Sequence, residues 1–154
     1  MIYITGDTHR DFSRIEAFCA EQGTTKEDVM IVLGDAGVNF YGGWRDEHVK
    51  DYLDELPITF FFIHGNHERR PETIPTYMKW YSDKAQGYVY WESRHPQLYF
   101  AVDGESYLLE GLRFLVCGGA YSVDKEYRLS RGWSWWPDEQ PNETSKANFE
   151  EHLR

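Results

Sequence analysis

Asp7 and His9 in Gly6-Asp7-Thr8-His9, Asp35 in Gly34-Asp35, and Asn66, His67 and Glu68 in Gly65-Asn66-His67-Glu68 are the groups best suited to hold a metal or move a proton. Asp7 and His9 stand two apart, so an extended chain projects both to one side, where they can grip one ion. The Asp35 carboxylate has two oxygens and can bridge two cations, and Asn66 offers a neutral amide oxygen that adds no charge. Mixed oxygen and nitrogen donors favour Mn, Fe, Zn or Ni over Ca. The glycines suit a backbone that turns sharply beside bound ions, where a Cβ has little room. Read alone, Gly65-Asn66 is also ordinary turn chemistry.

What positions these groups is a repeated pattern. The apolar runs Ile2 to Thr5, Val29 to Leu33 and Ile58 to Ile63 each end in one of the motifs. Phe12, Ile15, Phe18 and Cys19 follow the first run at helical spacing, and Trp44, Val49, Tyr52, Leu53 and Leu56 follow the second. Alternation of this kind predicts parallel strands joined by right-handed helical crossovers, an α/β core. Ligands bind such sheets at the carboxyl ends of the strands, so the three motifs should converge. After Pro71 the pattern changes to short runs, 87–91, 97–102, 106–109 and 113–117, with Asp103-Gly104 and Glu110-Gly111 as turns, which reads as an antiparallel meander. Residues 121–141 show no period, and Asn142 is placed to cap a final helix running to Leu153.

Composition limits the chemistry. A chain of 154 residues, 41% hydrophobic and 17% aromatic, folds around one core. Its formal charge of -10 repels phosphate backbones and argues against stable nucleic-acid or anionic-membrane binding, while leaving room for a small phosphorylated substrate held through metal. Cys19 and Cys117 lie among apolar neighbours and read as buried thiols rather than a disulfide. No signal-like or membrane-length apolar segment occurs, so a cytoplasmic location is expected.

GDTH, GD and GNHE, in this order and each after an apolar run, resemble the calcineurin-like metallophosphoesterases from residue 1 to about 120. The resemblance implies an α/β, metallophosphoesterase-like β-sandwich flanked by helices. It also implies two divalent ions, Mn favoured among Mn, Fe, Zn and Ni, about 3.5–4 Å apart, with a bridging water or hydroxide that attacks phosphorus in line. On it, Asp7 and His9 hold the first ion, Asp35 bridges, Asn66 holds the second, and His67 is the general acid. The substrate would be a phosphorylated small molecule, nucleotide or protein.

Two features depart from the family. Its phosphoprotein-phosphatase branch reads Gly-Asp-x-x-Asp-Arg-Gly at the second motif, whereas here the stretch is GDAGVNF, with Val38 at the second Asp position and Glu68 left as a candidate to orient His67. The family's late metal histidines, including a Gly-His-x-His pair, have no counterpart, and His48, His64, His95 and His152 lack the right neighbours. Residues 1–154 therefore read as a single but incomplete domain, truncated at the C-terminus, with a weak second metal site and low activity. A separate polypeptide supplying the missing histidines is an alternative. An uncovered sheet edge invites self-association.

Arg69, after GNHE, and Arg128 and Arg131, among Trp133, Trp135 and Trp136, are candidate phosphate-binding residues, since guanidinium forks match phosphate oxygens. The simpler reading of the tryptophan-rich stretch is packing. The functional rival to an esterase is a metallophosphoesterase-like module that has lost catalysis and binds through this surface.

Overall fold

The computed structural model describes residues 1–154. Strands β1 (Ile2–Thr5), β2 (Val29–Leu33) and β3 (Thr59–Ile63) run parallel, with Val29 beside Thr59 and Leu33 beside Ile63. Helix α1 (Ser13–Gln22) links the first pair; a short 3₁₀ turn and α2 (Glu47–Glu55) link the second. The later strands are β4 (Met78–Ser82), β5 (Gly87–Trp91), β6 (Leu98–Ala101), β7 (Ser106–Leu109) and β8 (Leu112–Leu115), followed by α3 (Lys125–Ser130) and α4 (Glu143–His152). The six-stranded sheet has the order β1-β2-β3-β6-β5-β4, and β7 and β8 pair as a separate hairpin.

The two faces of the sheet explain why the central strands are apolar throughout. Met30, Val32, Phe60, Phe62, Leu98 and Phe100 join Ile15 and Cys19 of α1 and Val49 and Leu53 of α2 in one buried cluster. The alternate residues Val29, Ile31, Phe61, Val89 and Ala101 pack with Tyr107 and Leu109 of β7. A strand covered on both faces needs apolar side chains at both parities. Helices cover one face and a small second sheet the other, as the fold class requires. On the hairpin side the cover stops short: Ile4 is 59% exposed and Leu33 55%.

Three expectations need correction. The later strands are not a simple antiparallel meander, because β6 pairs in parallel with β3 and antiparallel with β5, extending the first sheet. Strand β4, which holds Met78, Trp80 and Tyr81, stands outside the runs read as strands, and its first four residues are exposed at the sheet's outer edge. Cys117, just beyond β8, is exposed while Cys19 is buried, and both are free.

Asn142 caps α4 as read, its Oδ1 accepting the Ser145 N–H at 2.9 Å. Since α4 buries no side chain, its stability is largely local. Asn142→Ala should cost about 1 kcal/mol there and speed amide exchange over residues 143–152 roughly fivefold. Unchanged exchange would mean that contacts such as Gly104 against Ser145 and Asn148 hold the helix instead.

Candidate metal centre

The loops after β1, β2 and β3 are laced together by backbone bonds. Asp7, His9 and Arg10 donate N–H groups to the carbonyls of Gly34, Asp35 and Ala36 at 3.1, 2.9 and 2.9 Å. His67 N–H donates to Asp35 Oδ1 at 2.9 Å. Asp7, His9, Arg10 and Asp35 all take left-handed backbone angles, with φ of 58°, 45°, 70° and 48°. Such conformations are uncommon for residues with a Cβ and cluster at functional sites. Asp7 and His9 therefore do not meet through an extended chain; a double left-handed turn brings His9 Nε2 to 2.8 Å from Asp7 Oδ1.

Asp35 is the centre of the group. Its Oδ2 lies 3.7 Å from His67 Nδ1, and the rings of His9 and His67 have centroids 5.5 Å apart. One ligand atom each from His9, Asp35 and His67 falls within 4.8 Å of the other two. Asn66 Nδ2 donates to Ser122 Oγ at 2.8 Å, and Ser122 Oγ donates to Glu139 Oε2 at 2.5 Å. That relay commits the amide nitrogen and leaves Asn66 Oδ1 free to bind a metal. Asp7, Asp35 and Asn66 line the wall of an open groove of about 500 Å³ that continues between Leu33 and Cys117. The donor set of carboxylates, imidazoles and an amide oxygen fits a divalent transition metal.

Glu68 does not orient His67. It is buried, and its two oxygens accept the N–H groups of Gly65 at 3.1 Å and Gly37 at 3.0 Å, tying the second loop to the third. Burial pushes its carboxyl up to about 7, while those two N–H bonds pull the other way. Val38, at the position where the phosphatase branch carries an Asp, is fully buried in the helix-side core. His64 is buried too, its ring pushed down to about 3 by burial and then by the Arg70 guanidinium, so it stays neutral. His152 Nδ1 donates to the Asn148 carbonyl within α4.

The three candidate arginines are placed differently. Arg69 is exposed beside the metal loops, and its side chain runs across Gly42, where an added Cβ would come within 2.5 Å of Arg69 Cδ. Arg128 is buried, donates to the Ser134 carbonyl and lies 5.9 Å from the Trp136 ring. Arg131 lies 5.3 Å from the Tyr127 ring. Trp136 is buried, edge-on to Phe40 at 5.3 Å, so the tryptophan-rich segment packs on the loop after β2.

Sequence reading missed Ser122 and Glu139, which set the Asn66 amide across 56 and 73 residues, and neither stands in any motif. It also missed Arg10 and Asp46. Arg10 Nη1 donates to the fully buried Asp46 at 2.7 Å and to the Gly37 carbonyl at 2.8 Å, bracing the first loop against the second. The spacing of buried acids carries no signal for such a brace.

A family model described as calcineurin-like phosphoesterase matches residues 1–152. No curated protein and no solved structure gives a match.

Proposed function

Because the chain belongs to the calcineurin-like phosphoesterase family, we propose that it hydrolyses a phosphate mono- or diester with divalent metal held at the ends of β1, β2 and β3. The observation that supports this reading is the meeting of the three loops, where ligand atoms of His9 and Asp35 converge within 4.8 Å with the His67 ring beside them, on backbones held in left-handed angles. Asp7, His9 and Asp35 would hold a first ion, and Asp35 and Asn66 a second. When bound, such ions supply Lewis acidity, drawing charge from phosphoryl oxygens and making water a stronger nucleophile at neutral pH; Mn²⁺ is the favoured occupant.

His67 would carry the proton for the leaving oxygen. Its Nδ1 faces Asp35, which leaves Nε2 to donate. Arg69 would steady the phosphate from the loop edge, with Arg128 and Arg131 contributing farther out. The substrate would be a phosphorylated small molecule, nucleotide or protein. Two free thiols fit a reducing compartment such as the cytoplasm, and no helix is long and apolar enough to cross a membrane.

With only Asp35 and Asn66 assigned to it, the second ion would bind more weakly than the first, and turnover would be slow. Exposed Ile4 and Leu33 near the edge strand β1 would favour self-association. With excess Mn²⁺, p-nitrophenyl phosphate and its bis ester should be cleaved slowly but above background, in samples whose light-scattering mass exceeds a monomer's. No turnover and no metal uptake would favour the rival reading, a binding module acting through the tryptophan-rich surface. Rapid turnover by a clean monomer would overturn the weak second site.

A further inference from the structure

A second group of possible ligands lies at the outer face of α2, away from the three loops. Glu47 and Asp51 are one helical turn apart, and His95, in the link between β5 and β6, faces them. His95 Nε2 stands 2.9 Å from Asp51 Oδ1 and 3.9 Å from Glu47 Oε2. Around tetrahedral Zn²⁺, ligand atoms at ~2.0–2.2 Å from the ion are about 3.4 Å from each other. The observed separations bracket that value.

The imidazole is buried between carboxylates. His95 is 2% exposed, and its Nδ1 has no hydrogen-bond partner; Glu92 Oε2 lies 3.6 Å away. Carboxylates thus face both ring nitrogens. A neutral imidazole has one N–H, so whichever nitrogen keeps it, the other turns a lone pair toward a carboxylate. A metal at Nε2 resolves this. With a metal at Nε2, the proton sits on Nδ1 and points at Glu92, the carboxylate–histidine–metal arrangement that fixes a ligand's tautomer. Glu92 is held in place by buried Lys50 at 2.7 Å. Arg94 occupies the outer side, with Nη1 at 3.1 Å from Glu47 and Nη2 at 3.7 Å from Asp51, and its side chain is 66% exposed and free to swing out.

We propose that Glu47, Asp51 and His95 form a second divalent-metal site, of the Zn²⁺ type, that clips α2 to the β5–β6 link, with Arg94 as the cation it displaces. Glu47 and His95 line a cleft of about 580 Å³ through which an ion can enter. The site is independent of the metal centre at the strand ends.

Zn²⁺ titration by calorimetry, with metal counted after gel filtration, tests it on wild type, Asp51→Asn and Arg94→Ala. Both substitutions are at partly exposed side chains, so folding is retained. Wild type should hold one more Zn²⁺ than Asp51→Asn, whose affinity for that ion falls about a hundredfold, while Arg94→Ala binds it roughly tenfold tighter because the competing cation is gone. The same extra ion should persist in Asp35→Ala, which separates this site from the first. Equal metal counts in wild type and Asp51→Asn, or no gain in Arg94→Ala, would leave His95 as a hydrogen-bond partner of Asp51 and overturn the proposal.

Discussion

Asp35→Ala should abolish metal uptake at the strand ends, and His67→Ala should weaken it less. Asp35 faces His67 Nδ1 with one carboxylate oxygen and accepts the His67 N–H with the other. Removing it subtracts a charged donor and also releases the third loop from the second. His67→Ala subtracts only a ring, since its backbone N–H still donates to Asp35 Oδ1. A loss of roughly a hundredfold or more in Mn²⁺ affinity is expected for Asp35→Ala, against less than about tenfold for His67→Ala, with turnover falling strongly in both. Calorimetric titration of the two variants decides it. Equal losses would make His67 a metal ligand, which its place among the clustered ligand atoms of His9 and Asp35 allows, and would remove it from the role of acid.

The parallel half of the fold was legible because it depends on local signals. Apolar runs ending in Gly-Asp or Gly-Asn gave β1, β2 and β3 nearly to the residue, and the periodicity after the first two gave α1 and α2. The later half was less legible for a physical reason. Strand β4 sits at an edge, where its exposed Met78, Trp80 and Tyr81 give no alternation of buried and exposed residues, and the parallel pairing of β6 with β3 is a choice of neighbour that a strand's own residues do not encode. Within the site, the motifs announced which side chains converge but not how. Asp7 and His9 meet through left-handed turns, and Glu68, adjacent to His67, spends its carboxylate on two backbone amides instead. The supports that set the loops, Arg10 with Asp46 and Ser122 with Glu139, are pairs distant in sequence. Only the folded chain brings them together.

The glycines carry the packing of the loops, and Gly65 is the most demanding of them. A Cβ there would stand 2.1 Å from both the backbone nitrogen and Oδ1 of Asp35, and 2.9 Å from its Cα. The nitrogen and Cα belong to the backbone, so turning the Asp35 carboxylate aside cannot by itself relieve the strain. Gly65→Ala must push the second and third loops apart, breaking the Glu68 bond to Gly65 N–H and the Asp35 bond to His67 N–H. A loss of about 3 kcal/mol or more in urea unfolding is expected, together with loss of metal uptake. Gly43→Ala is the control: an added Cβ there meets nothing within 4 Å, and its φ of -167° is open to alanine. If Gly65→Ala bound Mn²⁺ as the parent does, the close contact of these loops could not be what holds Asp35 in place, and the geometry of the site would have to rest on Glu68 and Arg10 alone.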